Sequence, residues 1–82
     1  ISFTGGTATG RAVAASAAPM FKKLSLELGG KNATIILEDA DLDLAVAGAA
    51  RAAFMNQGQV CLCGSRIFIA DSIRPEFTRR FV

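Results

Sequence analysis

One stretch of the sequence joins a predicted helix to a predicted strand: Asn56-Gln57-Gly58-Gln59-Val60-Cys61-Leu62-Cys63-Gly64-Ser65-Arg66. Within it, Cys61 follows a polar turn that contains a glycine, and boundaries between elements are where a nucleophile can meet a ligand. Free cysteine is also among the most often buried residue types, so a small buried side chain without chemistry is the competing interpretation. The stretch makes Cys61 the candidate nucleophile and leaves both interpretations open.

The composition argues against several classes of partner. The formal net charge is +2 and the basic residues are scattered, which does not favour a nucleic-acid-binding surface. No apolar run approaches the roughly 18 residues of a membrane span. The sequence has no histidine, so it supplies no Ser-His-Asp triad, no Cys-His pair and no imidazole metal ligand. We therefore expect no nucleic-acid, membrane or metal partner, and an activated thiol would need a base other than histidine.

The length of the chain and its two cysteines predict the size of the whole protein and the compartment in which it lies. A domain of 82 residues would bury only about 60 to 65% of its unfolded surface and would be marginally stable, so we expect a segment of a longer protein. Cys61 and Cys63 are separated by one residue and could hardly close an unstrained disulfide with each other. Reduced thiols fit a reducing compartment, and we expect a cytoplasmic protein.

The beginning of the chain predicts a strand, a glycine turn and a helix. Residues 1–4 are β-prone, Gly5-Gly6 breaks the run, and strong helix formers extend from Thr7 to Ala18 before Pro19. Backbone N–H groups at such a helix N-terminus can approach a phosphate, although a tight turn without a ligand remains the alternative. The helix is apolar nearly all round, which predicts burial on several faces, as in a layered α/β protein.

The next element places a carboxylate near a strand end. Residues 22–28 alternate between apolar and polar side chains, which predicts a strand that stops at Gly29-Gly30. Glu27 then lies near the carboxyl end of that strand, the edge at which open α/β sheets bind ligands. An ordinary solvated carboxylate is the alternative interpretation of Glu27.

The rest of the chain repeats the alternation of strands and helices. Residues 33–37 predict a buried strand, residues 42–55 a helix, and residues 66–70 another strand. Asp39 or Asp41 is the candidate N-cap of that helix. A last helix is expected from about Ile73, with a proline in its first turn. The pattern predicts an α/β protein whose character changes between residues 30 and 31.

Three motifs in register resemble the NAD(P)-dependent aldehyde dehydrogenase superfamily. They are Phe3-Thr4-Gly5, Leu26-Glu27-Leu28-Gly29-Gly30-Lys31, and Asn56-Gln57-Gly58-Gln59 with Cys61 and Gly64-Ser65-Arg66. The interval of 34 residues from Glu27 to Cys61 matches the family's spacing between its glutamate and its nucleophile. The resemblance implies a fragment of the aldehyde dehydrogenase fold. In it, residues 1–30 end a Rossmann-like NAD(P)-binding domain and residues 31–82 begin an α/β catalytic domain.

The resemblance implies catalytic roles for two residues. Cys61 matches the catalytic nucleophile and Glu27 matches the general base, and the backbone N–H of Cys61 would be one donor to the oxyanion. Asn56 does not match the family's oxyanion asparagine, which lies further upstream. Cys63 does not match the nucleophile, and we expect it to be a small buried residue.

The resemblance also implies a cofactor site for NAD or NADP, with NAD favoured. The cofactor's pyrophosphate would lie over the turn that contains Gly5, Gly6 and Gly10, with Thr7 beside it. The backbone of Leu28 would approach the nicotinamide end of the cofactor. Gly6 departs from the commoner serine, so a side-chain hydroxyl contact to the phosphate is not expected.

The function implied is oxidation of an aldehyde to a carboxylic acid through a thiohemiacetal and a thioester on Cys61. The residues around Cys61 and Glu27 look most similar to the branch that acts on hydroxymuconic and aminomuconic semialdehydes. The full-length protein is expected to be a homodimer or homotetramer, and this segment alone is expected to be inactive. Two alternatives stay open: a non-catalytic relative that keeps the fold, and a nucleotide-binding structural protein that uses only residues 5–10.

Overall fold

The computed structural model describes residues 1–82, in which strands and helices alternate except that the second strand is followed directly by the third. A short 3-10 segment, Ala18–Met20, follows the first helix, and the segment Met55–Gly58 after the second helix has left-handed backbone angles at Asn56 and Gln57. No helix is long and apolar enough to cross a lipid bilayer. In chain order the elements are β1 (Ser2–Gly5), α1 (Thr7–Ala17), β2 (Ser25–Leu28), β3 (Ala33–Ile36), α2 (Leu42–Phe54), β4 (Arg66–Ile69) and α3 (Arg74–Phe81).

The chain divides into two compact units, Ile1–Gly30 and Lys31–Val82. The division falls between residues 30 and 31, where the sequence changes character. That the first unit belongs to a cofactor domain and the second to a catalytic domain stays a prediction. Each unit is a β-α-β arrangement, and the second adds the helix α3.

In the first unit, β1 and β2 pair in parallel, and Ser2 stands opposite Ser25. The predicted strand over residues 22–28 is shorter than expected, because β1 begins at Ser2 and its register pairs it only with residues 25–28. Before β2, the carbonyl of Lys23 accepts a hydrogen bond from the N-terminal nitrogen of Ile1 at 2.7 Å. The alternation within β2 is as predicted, since Leu26 and Leu28 are half-buried and Glu27 is exposed.

The helix α1 is less buried than its composition predicts. Within this unit only Gly10 and Ala17 are buried, and burial of α1 on several faces stays a prediction for the full-length protein. Burial within the unit is limited because a two-stranded sheet covers only one side of a helix. The contact is close at Gly10, where a Cβ atom would stand 2.5 Å from Cδ2 of Leu28.

In the second unit, β3 and β4 pair in parallel and α2 connects them. The core consists of Ile36, Ala49 and Phe77, one residue each from β3, α2 and α3. Asp41, one of the two predicted N-caps, begins α2, because its side chain accepts hydrogen bonds from the N–H groups of Asp43 (3.0 Å) and Leu44 (3.1 Å).

Ion pairs connect α3 to α2. Glu76 accepts from Arg79 at 2.6 Å and from Arg80 at 2.7 Å, and Arg80 also reaches Asp43 at 2.6 Å. The hydrogen bonds from Arg79 and then Arg80 lower the pKa of Glu76 from 4.5 to about 2. Because the folded-state pKa is lowered, this stabilisation is present above pH 4.5 and is lost as the pH falls toward 2.

Gly64 permits close contact between the segment before β4 and the strand β3. The residue is buried, and a Cβ atom there would overlap the hydroxyl of Thr34 and contact Cβ of Ala52 at 3.6 Å. Its N–H donates to the carbonyl of Ala52 at 3.0 Å, which holds the same segment against α2. Thr34 is β-branched and stiff, so it cannot easily move aside.

We predict that Gly64→Ala destabilises the full-length protein by about 1–3 kcal/mol through overpacking. Urea unfolding would measure the loss, and Thr34→Ala should recover part of it in the double variant. Gly48→Ala is the matched control, because a Cβ at Gly48 meets nothing within 4 Å and alanine favours helix α2. Equal effects of the two glycine substitutions would contradict the contact with Thr34.

Candidate active site

Cys61 occupies the second position of a tight turn between α2 and β4. The turn closes when the N–H of Cys63 donates to the carbonyl of Val60 at 2.9 Å. Cys61 is exposed, whereas Cys63 is buried and its Sγ donates to the carbonyl of Met55 at 3.8 Å. The interpretation as a small buried side chain therefore fits Cys63, as predicted, and does not fit Cys61.

Three consecutive residues before the turn have left-handed backbone angles. Their φ values are 51° at Asn56, 56° at Gln57 and 72° at Gly58. Glycine adopts this conformation freely and asparagine tolerates it, but for a glutamine it costs roughly 1–2 kcal/mol. The reversal ends α2 and brings the chain back, with the N–H of Gln59 donating to the carbonyl of Asn56 at 3.0 Å.

Both backbone carbonyls that flank the Cα of Cys61 are hydrogen-bonded. The carbonyl of Val60 accepts from Cys63, and the carbonyl of Cys61 accepts from Nδ2 of Asn32 at 2.7 Å. The N–H of Cys61 donates to no backbone carbonyl, so it is available to a ligand. An exposed thiol beside an unused N–H donor can attack a carbonyl carbon and stabilise the oxyanion that forms.

Asn32 is a neighbour of Cys61 that the sequence alone does not reveal. It precedes β3, and its carbonyl accepts from the N–H of Arg66 at 3.1 Å, while Nε of Arg66 donates to the carbonyl of Lys31 at 3.1 Å. The parallel pairing of β3 with β4 brings the residues before both strands to the same edge. That pairing is the one signal that could have identified Asn32 as a contact of the candidate nucleophile.

The Cys61 turn borders an apolar hollow of about 260 Å³ in the second unit. Val60 and Leu62, the two neighbours of Cys61 in sequence, contribute to the hollow, and Leu62 is 80% exposed. The other lining residues are Ala52, Met55 and Cys63. An apolar surface next to a thiol suits a substrate with a hydrocarbon portion.

In the first unit, the predicted base and cofactor residues lie at one edge of the sheet. Thr4 stands opposite Glu27 and Gly5 opposite Leu28, so both strands end there. Glu27 is exposed, and its side chain makes no hydrogen bond or ion pair. The sheet edge brings Glu27 together with the residues predicted to bind the cofactor, namely Gly5, Gly6, Thr7 and Leu28.

The N-terminus of α1 fits an anionic group. Gly6 precedes the helix without a side-chain cap, and the first turn, which begins with Thr7, contains no acidic residue. A Cβ atom on Gly6 would meet nothing within 4 Å, so packing within the unit does not require glycine there. Open N–H groups and the helix dipole favour a phosphate at this position.

Gly10 has a different environment from the other predicted cofactor residues. It is buried against the side chain of Leu28, which gives it a packing role within the unit. A direct contact between Gly10 and a cofactor stays a prediction.

Cys61 and Glu27 belong to different units, and each is positioned by the contacts of its own unit. No three His, Cys, Asp or Glu side chains are grouped as metal ligands.

Comparison with known proteins identifies close relatives in sequence. The 2-aminomuconic semialdehyde dehydrogenase of Danio rerio is 56% identical over 82 residues, which is 100% of this chain and 17% of the relative. The betaine aldehyde dehydrogenase of Bacillus subtilis (strain 168) is 48% identical over 82 residues, again 17% of that protein. The chain therefore spans about a sixth of the length of the relatives it matches.

Solved structures give the same result for the fold. The crystal structure of PnpE in complex with nicotinamide adenine dinucleotide matches with a TM-score of 0.94 at 49% identity, covering 100% of this chain and 17% of that one. The betaine aldehyde dehydrogenase of Staphylococcus aureus in complex with NAD+ matches with a TM-score of 0.93 at 44% identity, covering 99% and 16%. The predicted fold, an α/β fragment of the aldehyde dehydrogenase fold, is confirmed.

The model of the aldehyde dehydrogenase family matches residues 1–82, from the first residue of this chain to the last. The three motifs that resemble this family in the sequence lie within the matched region. From its sequence and its fold, this chain belongs to the aldehyde dehydrogenase family.

Proposed function

We propose that the full-length protein oxidises an aldehyde to a carboxylic acid with NAD(P)+, using Cys61 as its nucleophile and Glu27 as its base. The observation that carries the proposal is the exposed thiol of Cys61 in a tight turn. The backbone N–H of the same residue donates to no backbone carbonyl and is free to bind an oxyanion. Membership of the aldehyde dehydrogenase family supports the reaction class.

Cys61 supplies the nucleophile and one donor. Its thiolate adds to the aldehyde carbon, which forms a C–S bond and moves the carbonyl π electrons onto oxygen. The N–H of Cys61 donates a hydrogen bond to that oxyanion. Residues 5–7 and the backbone of Leu28 would hold NAD(P)+, which would supply the hydride acceptor for the former aldehyde carbon, and Cys61 would then hold the acyl group as a thioester.

Glu27 acts on water in the second half of the reaction. Its carboxylate takes a proton as the water oxygen adds to the thioester carbon, and the C–S bond then breaks to release the acid and the Cys61 thiolate. The exposed, unpaired carboxylate of Glu27 supports this role, since both of its oxygens are free to accept. Overall, aldehyde, NAD(P)+ and water yield acid, NAD(P)H and a proton.

The first unit would hold the cofactor, and we propose NAD in preference to NADP. Residues 5–7 at the start of α1 would meet the pyrophosphate, and the backbone of Leu28 would lie toward the nicotinamide end. The open helix N-terminus supports the phosphate contact. Similar proteins that were solved with NAD support the use of a nicotinamide cofactor.

A semialdehyde of the muconic type is the proposed substrate class. The similarity to 2-aminomuconic semialdehyde dehydrogenases of Danio rerio and Homo sapiens, at 56% and 55% identity, supports this choice. Val60 and Leu62 beside the nucleophile would contact the hydrocarbon portion of the substrate.

We further propose that the full-length protein is a homodimer or homotetramer. We place it in the cytoplasm, where both free thiols would stay reduced.

The test of the reaction is NAD(P)H formation by the full-length protein against a panel of aldehydes that includes semialdehydes. Cys61→Ala should reduce turnover by at least about a thousandfold while the dissociation constant for NAD changes little, because the thiol is needed for chemistry only. Cys63→Ala is the matched control and should keep turnover. Unchanged turnover in Cys61→Ala would refute the proposed mechanism. Absence of NAD(P)H formation by the wild type, with NAD still bound, would favour a role of residues 5–10 in nucleotide binding alone.

The reactivity of the two thiols separates an active enzyme from an inert relative. Iodoacetamide should alkylate Cys61 at least about tenfold faster than Cys63, because Cys61 is exposed and Cys63 is buried. Peptide mass spectrometry of the full-length protein after timed labelling would give both rates. Equal rates, or faster alkylation of Cys63, would favour the inert relative.

Glu27→Gln should slow the hydrolysis of the thioester and leave its formation largely intact. The amide cannot take a proton from water, so we expect an acyl group to accumulate on Cys61 and steady-state turnover to fall by about a hundredfold or more. Intact-protein mass spectrometry would detect the added acyl mass. A variant with an unchanged steady-state rate would remove Glu27 from the mechanism.

A further inference from the structure

We infer that Asn32 is a positioning residue that orients Cys61 for attack by holding its backbone carbonyl. The inference rests on the proposed function, since it concerns the same nucleophile. Asn32 lies 29 residues before Cys61, and Nδ2 of Asn32 donates to the Cys61 carbonyl at 2.7 Å. No other side chain donates to the backbone of the turn over residues 60–63.

The geometry of the turn explains why one hydrogen bond can fix the orientation of both the Cys61 thiol and the Cys61 backbone N–H. The peptide planes on either side of the Cys61 Cα meet at that atom, and each is rigid and trans. The plane before Cys61 is held through the Val60 carbonyl, which accepts from Cys63 at 2.9 Å. The plane after it is held through Asn32. With both planes held, φ and ψ of Cys61 are fixed, and so are the directions of Cβ and of the N–H.

The backbone of Asn32 is itself held by a hydrogen bond from β4, so its side chain starts from a fixed position. Its carbonyl accepts from the N–H of Arg66 at 3.1 Å, at the point where β4 begins. The guanidinium of Arg66 donates to the carbonyl of Lys31 and lies 5.4 Å from the ring centroid of Phe68. The amide of Asn32 therefore projects from the end of the β3–β4 pair, and it connects the Cys61 turn to the sheet.

The role predicts different effects on two reactions of the same thiol. Attack on an ester or aldehyde carbon creates an oxyanion that needs the Cys61 N–H in a defined direction. Alkylation by iodoacetamide displaces iodide and creates no oxyanion. Loss of the Asn32 hydrogen bond should slow the first reaction and affect the second little.

The experiment compares Asn32→Leu and Asn32→Asp in the full-length protein. Both substitutions preserve the approximate shape and remove the donor, and only the second adds a charge. The first probe is 4-nitrophenyl acetate: the Cys61 thiolate forms the thioester, the ester C–O bond breaks, and 4-nitrophenolate leaves. This reaction needs neither cofactor nor aldehyde. The second probe is iodoacetamide, with alkylation of Cys61 followed by peptide mass spectrometry.

We expect both variants to release the 4-nitrophenolate burst about threefold to tenfold more slowly, as the loss of one hydrogen bond predicts. The rate of Cys61 alkylation should change less than about twofold in Asn32→Leu, which adds no charge near the thiolate. Glu38→Gln, an exposed substitution just after β3 that removes no hydrogen bond, is the control and should change neither rate.

An unchanged burst in both Asn32 variants would overturn the inference. A parallel fall in both rates in the uncharged variant Asn32→Leu would also overturn it, because it would mean that the turn had simply lost its structure. Failure of the proposed function is distinguishable, since Cys61→Ala would then keep both turnover and the burst. If Cys61→Ala loses them and the Asn32 variants behave like the wild type, only the role of Asn32 fails.

Discussion

The parallel pairing of β3 with β4 is the constraint on which the candidate site depends. In its register Ala33 stands opposite Arg66, so the residues just before each strand meet at one edge of the sheet. Those residues include Asn32 on one side and the turn with Cys61 on the other. A shift of this register by one residue would move the Asn32 amide away from the Cys61 carbonyl and reverse the faces of β4. The hydrogen bonds between β3 and β4 thus determine where the Cys61 thiol lies relative to Asn32.

The first unit uses a parallel pair for a different purpose. There the carboxyl ends of β1 and β2 bring Glu27 and Leu28 beside the turn that starts α1. Ligands of parallel α/β sheets bind at this edge because helix N-termini point toward it. Gly10, one turn into the helix, lets α1 pack against Leu28. A single glycine therefore sets how closely the open N–H groups of the helix approach the strand that carries Glu27.

Local signals allowed most of the fold to be predicted. Alternation identified β2, Asp41 identified the start of α2, and the proline in the first turn identified α3. Features that depend on distant parts of the chain were not predictable in this way. The hydrogen bond from Asn32 to Cys61 and the contact between Thr34 and Gly64 follow from strand register, which a single sequence does not specify. The roles proposed for Cys61 and Glu27 came from resemblance to a family. The structure adds that both residues are exposed and that the backbone carbonyl of Cys61 is hydrogen-bonded to Asn32.

Cys61 and Cys63 illustrate how geometry separates two chemically identical side chains. Two residues apart in an extended strand, they would point to the same face and share one environment. The left-handed backbone at Asn56, Gln57 and Gly58 instead reverses the chain, and a tight turn then directs Cys61 outward and Cys63 inward. The unfavourable φ of Gln57 is offset by hydrogen bonds that the reversal permits, including the one from the N–H of Gln59 to the carbonyl of Asn56 at 3.0 Å. Backbone strain next to the thiol is thus part of what exposes it.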